Sequence, residues 1–430
     1  MMMEKTMHNI TRVQIKQGIG LTCVTAERTK TSCLSAMLAL PLGAPGRSLA
    51  ALLPYVLRSS CQDYRGQQAV AACLDELYGA RLEPIVRKCG EVQLIGFVAD
   101  VMDERYAMQP EERLFSSTAQ LMASLLLHPA PFTAETVNRE AEQLCAKIAA
   151  RTDEKRTWAI QRMYQYMCAE EAYSLCELGD IDVIRTITPE QLEAQYRSVM
   201  QTAPLELFYY GSLTSDTVAQ QLAEAMRERP VLEKVELPQF DVPRKPLHPG
   251  LQQITEEEPV TQGKLTIGLR SGITVLDVDY PALVVFNACF GGTASSRLFR
   301  TVREQMSLCY YASSMTDKNK GLLVVAAGIE NESEPKARAE ILRQLEDIQA
   351  GGLTAEEVEA AKRSVLASLR TTQDSPLMLE YFYQAQAASG VTETLDQLME
   401  RIEQVSVADV TAAARKAVPD TVYFLKGAGA

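Results

Sequence analysis

Residues 295–314 decide how this 430-residue chain is interpreted. They read Ser-Ser-Arg-Leu-Phe-Arg-Thr-Val-Arg-Glu-Gln-Met-Ser-Leu-Cys-Tyr-Tyr-Ala-Ser-Ser. The stretch follows Gly291-Gly292-Thr293, which lacks the lysine of a phosphate-binding loop and therefore indicates a tight turn before a helix. Within it, Arg303 and Tyr310 are seven positions apart. These two side chains are the candidate functional residues of the second half of the chain.

A second stretch, in the first half, reads Ser48-Leu49-Ala50 and then Ala51-Leu52-Leu53-Pro54-Tyr55. A helical zinc-peptidase motif needs two imidazoles four residues apart on one helix face. The chain has only three histidines, at positions 8, 128 and 248, so no pair has this spacing. Its ten cysteines contain no Cys-x-x-Cys and are typical of small buried side chains. The sequence therefore predicts that this chain holds no metal.

Residues 291–310 resemble the arginine–tyrosine motif in the C-terminal half of pitrilysin/insulinase-type zinc peptidases. That motif reads Ser-Arg-Leu-Phe, then Val-Arg-Glu, then Leu-x-Tyr. Active members hold zinc in the N-terminal half through His-x-x-Glu-His, usually after Gly-Leu-Ala. The resemblance implies that Ala51, Pro54 and Tyr55 stand at positions of this lost zinc motif. Proline cannot accept a proton there, and tyrosine is a poor zinc ligand because its pKa is about 10.

The same resemblance implies a role for the second half. In the family, the peptide lies along a sheet edge, the tyrosine hydroxyl supports the developing oxyanion, and the arginine holds a neighbouring carbonyl. We assign these roles to Tyr310 and Arg303, and we prefer Tyr310 to Tyr311 because alternate strand residues face opposite sides. The family's third zinc ligand is a glutamate on a later helix. Glu140 and Glu142 lie on such a helix, but without imidazoles we interpret them as solvated charges.

The composition limits the partners and the compartment. Apolar residues make up 47% of the chain and charged residues 23%, which is typical of a folded protein with a substantial core. The net charge of −12 and the pI near 5.0 argue against nucleic acid or an anionic membrane as a partner. No signal peptide or membrane-spanning apolar run is visible. With ten thiols, the chain is expected in the cytoplasm.

An internal repeat predicts two related α+β domains. Helix-opening segments beginning at Thr133 and Thr354 are 221 positions apart, and Thr354 with Glu357 has the spacing of a capping box. Helix-then-strand segments repeat at a similar offset. We expect an N-terminal domain over 1–228, a proline-rich linker over 229–250 and a C-terminal domain over 251–430. Each domain should be a mainly antiparallel sheet packed with helices.

Two functions are compatible with these features. The first is a non-catalytic subunit of a heterodimeric peptidase, whose paralogous partner of similar length carries His-x-x-Glu-His and the zinc. The chain is similar to the members of such bacterial and mitochondrial pairs, which close like a clamshell on an extended peptide. It also resembles a zinc-less homologue of Gram-positive bacteria that is associated with elongation factor P modification. The second is a catalytically inert peptide-binding or scaffold homologue, acting as a homodimer or a complex subunit.

Overall fold

Two β-sheets, each packed with helices, organise the chain. The computed structural model describes residues 9–27, 29–43, 46–109 and 112–427. The first sheet contains β1 (Asn9–Lys16), β2 (Ile19–Thr25), β3 (Thr31–Pro41), β4 (Arg81–Cys89), β5 (Val92–Met102) and β6 (Leu205–Gly211). The second contains β7 (Gln252–Glu258), β8 (Gly263–Arg270), β9 (Cys309–Asp317), β10 (Leu322–Ile329) and β11 (Val418–Gly427). The expected α+β class is confirmed.

Five strands of the first sheet follow the same order as the five strands of the second, and β1 is an additional edge strand. The strand orders of the two sheets are β1-β2-β6-β3-β5-β4 and β7-β11-β8-β10-β9. Each contains a single parallel pair, β2 with β6 and β7 with β11, and the remaining pairs are antiparallel. Matching β2, β6, β3, β5 and β4 to β7, β11, β8, β10 and β9 gives the same order. This agreement supports the internal repeat and makes β4 and β9 equivalent edge strands.

Fourteen α-helices lie in the described residues, and several of them begin at a side chain that caps the helix. The α-helices are α1 (Arg47–Ser59), α2 (Gln67–Glu76), α3 (Leu114–Leu127), α4 (Ala134–Ala150), α5 (Lys155–Met167), α6 (Ile181–Ile184), α7 (Pro189–Thr202), α8 (Ser215–Ala225), α9 (Tyr280–Asn287), α10 (Glu334–Gln349), α11 (Ala355–Gln373), α12 (Pro376–Ala388), α13 (Leu395–Glu403) and α14 (Val407–Lys416). Two π-helices span Ala288–Gly292 and Leu298–Gln305. The predicted capping box at Thr354 and Glu357 is confirmed, with reciprocal bonds of 3.2 and 3.0 Å.

Two compact units form around the sheets, and neither is a continuous stretch of sequence. The first unit comprises residues 1–148, 176–239 and 375–392, and the second comprises 149–175, 240–374 and 393–430. Helix α5, from the first half of the sequence, therefore packs on β8 and β11, and α12, from the second half, packs on β3 and β6. The boundaries expected from the sequence, 1–228 and 251–430, assign these two helices differently. An apolar helix face predicts burial but does not specify which sheet buries it.

The proline-rich segment between the halves contains no helix or strand. Helix α8 ends at Ala225 and β7 begins at Gln252, and the whole of this interval is described. Residues up to 239 belong to the first unit and residues from 240 to the second. Across the described residues, no helix is both long and apolar enough to cross a membrane.

Candidate functional site

Arg303 lies in the last turn of the π-helix Leu298–Gln305, on the exposed side. Its guanidinium carbon is 4.5 Å from the centre of the Phe299 ring, one turn earlier, so the aromatic face supports the cation. Ser307 then takes a φ of 50°, in the left-handed region that non-glycine residues rarely adopt. The π-helix and this turn set the direction in which the chain enters β9.

Tyr310 is displayed by a β-bulge on the edge strand β9. Gly328 pairs with Tyr311 and Ile329 pairs with Cys309, so Tyr310 is the extra residue with no partner on β10. Bulges of this kind bend an edge strand and redirect a side chain. The Tyr310 side chain is 65% exposed, although tyrosine usually buries most of its ring. The bulge thus directs a large aromatic group into solvent.

The hydroxyl of Tyr310 is already engaged. It donates a hydrogen bond of 2.9 Å to Oε1 of Glu330, the residue directly after β10. This hydrogen bond to a carboxylate raises the pKa of the tyrosine. Glu330 is a functional candidate that the sequence did not reveal, because it becomes a neighbour of Tyr310 only through the pairing of β9 with β10.

The neighbouring tyrosine has a different environment. Tyr311 is half-buried, with the Arg156 guanidinium carbon 4.6 Å from its ring centre. A Cβ atom at Gly328 would lie 2.5 Å from this ring, so the glycine makes room for it. Burial raises the pKa of Tyr311 to about 12. Of the adjacent tyrosines, Tyr310 is therefore the one accessible to a ligand.

Arg297 in the same motif has a structural role. Its Nε and Nη2 donate to the two carboxylate oxygens of Glu357 at 2.6 and 2.9 Å, and its Nη1 donates to Asp347 at 3.0 Å. Glu357 also forms the capping box of α11 with Thr354. The arginine consequently fixes the π-helix to the start of α11, and Leu298 beside it is completely buried.

The three positions that the family resemblance assigns to a lost zinc motif lie on α1, most of whose residues are buried. Ala51 has no exposed surface, and Pro54 is buried inside the helix. Neither side chain offers a donor atom for a metal. Tyr55 is only partly buried and has a polar partner on another helix: Nζ of Lys147, in α4, donates to its hydroxyl oxygen at 3.0 Å. The same ammonium nitrogen is 5.4 Å from the ring centre of Tyr55.

The two glutamates considered as a third ligand point elsewhere. We expected Glu140 to be a solvated charge, but it is buried. It accepts hydrogen bonds from Gln67 and Arg139, both at 3.0 Å. Glu142 is exposed, and its carboxylate is 3.5 Å from Arg185. The side chain of α4 that contacts Tyr55 is the cation Lys147 and not a carboxylate.

The donor set at this place does not fit zinc. A zinc site needs imidazole, thiolate or carboxylate ligands, and an ammonium next to a phenol offers none of these. His128 pairs with Glu228 at 3.4 Å, and His8 lies outside the described residues. Among the residues that the structure describes, no group of three or more histidine, cysteine, aspartate or glutamate side chains is placed to hold a metal ion.

Comparisons with known proteins extend over the whole chain. The family model described as "Peptidase M16 inactive domain" matches residues 186–365. The chain is 34% identical over 428 residues to the protein named "Probable inactive metalloprotease YmfF" of Bacillus subtilis, covering 98% of this chain and 99% of that one.

Solved structures show the same fold. A conserved protein from Enterococcus faecalis V583 matches with a TM-score of 0.86 at 24% identity, covering 97% of this chain and 99% of that one. A peptidase M16 inactive domain from Pseudomonas fluorescens matches with a TM-score of 0.78 at 19% identity, covering 98% and 99%.

Proposed function

We propose that this chain, which belongs to the M16 metallopeptidase family as an inactive homologue, is the non-catalytic subunit of a heterodimeric zinc peptidase. The observation that carries this proposal is a contrast within the chain. Tyr310 and Arg303 are exposed on the second unit, whereas Ala51 and Pro54 are buried and cannot bind a metal. One half of a peptidase site is thus presented without the other half.

In this proposal, Tyr310 and Arg303 bind the backbone of a peptide held by the partner. The partner's His-x-x-Glu-His motif would hold zinc, which supplies the activated water. The Tyr310 hydroxyl would exchange its bond with Glu330 for one with the oxyanion, and Arg303 would hold a neighbouring carbonyl. Because β9 is an edge strand, a peptide could also pair with its backbone. The presence of ten cysteines in the chain supports a reducing compartment, and we place the protein in the cytoplasm.

The experiment that tests this proposal is purification of the tagged chain from its native cells, followed by mass spectrometry and metal analysis. We expect a co-purifying chain of similar length that contains His-x-x-Glu-His, with one zinc per pair. The pair should cleave unstructured peptides, and neither chain should do so alone. Recovery of a homodimer without a zinc-bearing chain would overturn the proposal.

A specific observation favours the alternative, an inert peptide-binding scaffold. The Tyr310 hydroxyl donates a hydrogen bond to Glu330, so in the free chain it is not directed at a substrate. The two functions differ in the effect of Tyr310→Phe. A catalytic subunit would lose turnover and keep its partner, whereas a scaffold would show no change in any partner's activity.

A further inference from the structure

We propose that Lys147 and Tyr55 form a metal-free site for the carboxylate of a peptide, at the place where the zinc motif has been lost. The pair lies within the first unit and joins α1 to α4. This proposal rests on the proposed function in one respect, which is that a peptide is the natural source of the carboxylate. The site itself is argued from the chemistry of these two side chains.

The pair presents several hydrogen-bond donors to one point. The Lys147 ammonium has three N–H groups and spends one on the Tyr55 oxygen. Neither side chain has a further hydrogen-bond partner among the described residues, so two N–H groups and the phenol O–H are available to a ligand. An oxygen anion that accepts from both side chains would form charge-assisted hydrogen bonds, which are about twice as strong as neutral ones.

The electrostatics also select an anion. In the part of the chain that the structure describes, no carboxylate forms an ion pair with Lys147, although Lys155 and Lys320 elsewhere each pair with a glutamate. Lys147 is exposed and Tyr55 is only partly buried, so both can reach a ligand from solvent. A divalent cation at this point would be repelled by the ammonium, whereas a carboxylate would neutralise it.

The core anchors the two helices that carry the pair. Leu52 and Val56 of α1 are buried on either side of Tyr55, and Leu144 and Cys145 of α4 are buried one turn before Lys147. Both helices are therefore anchored independently of the pair. Such anchoring limits the reorganisation that a ligand must cause, which is a condition for a specific site.

The first test uses a probe that is not a peptide substrate. N-acetylglycine and N-acetylglycinamide differ only in the carboxylate, and each would be titrated into the isolated chain while NMR signals of Tyr55 and of α4 are followed. We expect the acid to shift these signals saturably and the amide to have no effect. Lys147→Gln should weaken binding of the acid roughly tenfold or more, Lys147→Arg should retain it, and Tyr55→Phe should weaken it about two- to tenfold.

The matched control is Lys336→Gln, which removes the same charge from an exposed lysine of α10. It should leave the titration unchanged, and equal melting temperatures would show that all the variants fold. Equal shifts with the acid and the amide, or wild-type binding in Lys147→Gln, would overturn the proposal. Because no partner subunit and no cleavage is involved, failure of the proposed peptidase pair would not alter this result.

A second arm identifies the source of the carboxylate. Matched peptides would carry a free or an amidated C terminus, combined with an internal glutamate or glutamine. A loss of affinity on amidation assigns the site to a peptide C terminus, and a loss on replacing glutamate assigns it to an acidic side chain. If neither change affects binding in wild type, the site does not recognise peptide carboxylates and the proposal fails.

Discussion

Strands β4 and β9 occupy the same place in the two sheets, and β9 carries the exposed candidate residue Tyr310. Strand β4 pairs with β5 without interruption from Arg81 to Cys89, and it contains Pro84, a residue that sheets tolerate at an edge. Strand β9 shifts register at Tyr310. One inserted residue therefore distinguishes the two edges. A duplicated topology can therefore present a side chain at the edge of one copy and leave the equivalent edge of the other copy regular.

The largest expected effect concerns the charges buried beneath the second sheet. Arg270 is completely buried and pairs with Asp420 at 2.7 Å and with Glu171. Arg270→Met would leave Asp420 buried without its cation, and we expect the free energy of unfolding to fall by about 3–5 kcal/mol. Denaturant unfolding measures this change. Lys426→Ala, which breaks an exposed pair with Glu257, is the control and should cost less than about 1 kcal/mol. Equal losses would show that burial is not the cause.

A second prediction concerns zinc binding at positions 51, 54 and 55 of α1. The triple variant Ala51→His, Pro54→Glu, Tyr55→His should bind zinc poorly, because the Lys147 ammonium faces position 55. Adding Lys147→Glu should tighten zinc binding on the order of a hundredfold, since it replaces a repelling cation by a ligand. Calorimetric titration with zinc measures the difference. Tight zinc binding by the triple variant alone would show that Lys147 does not control the site.

A third prediction concerns β9, the edge strand at which we propose that a peptide binds. In a reconstituted pair, Tyr310→Phe should lower turnover about tenfold without affecting assembly, because a single hydroxyl shares the oxyanion with the metal. Arg303→Ala should also raise the Michaelis constant, since its contact exists in the ground state. Tyr311→Phe is the matched control, because its ring is half-buried beside Arg156. Full activity of both Tyr310→Phe and Arg303→Ala would favour the scaffold function.

The smallest expected effect contrasts two glutamates by their response to pH. Glu256 accepts hydrogen bonds from Arg162, Tyr166 and Tyr423, and the bond from Arg162 contributes most to a pKa lowered to about 2. Its ordinary pKa is about 4.3, so its stabilisation is present above that pH and is lost as the pH falls through about 2. Wild type should exceed Glu256→Gln in unfolding free energy at pH 7, and this advantage should shrink below about pH 4.

Glu206 in the first sheet should behave in the opposite way. Burial raises its pKa despite the pairing with Arg12 at 3.1 Å. Its ionisation therefore disfavours the folded state, and its contribution to stability should fall as the pH rises from its ordinary pKa through the raised one. Unfolding of Glu206→Gln and wild type across pH 4–7 measures this. Parallel pH profiles for the two glutamates would contradict both assignments.

Much of the fold could be predicted from local patterns. Helices α4 and α11 begin at Ala134 and Ala355, directly after Thr133 and Thr354, where the sequence predicted that helical segments open. These elements are long and periodic, and their ends carry recognisable turn and capping residues. The exchange of α5 and α12 was not predictable, because their apolar faces would suit either sheet.

The candidate site, like the fold, has features that could be predicted from the sequence and features that could not. The sequence by itself determined that no two imidazoles lie four residues apart and that Arg303 and Tyr310 belong to one motif, because both facts depend only on spacing along the chain. The folded structure adds that a bulge exposes Tyr310, that Glu330 accepts a hydrogen bond from the Tyr310 hydroxyl and that Lys147 contacts Tyr55. Strand register and helix packing bring together residues that are distant in sequence, and local spacing does not encode those contacts.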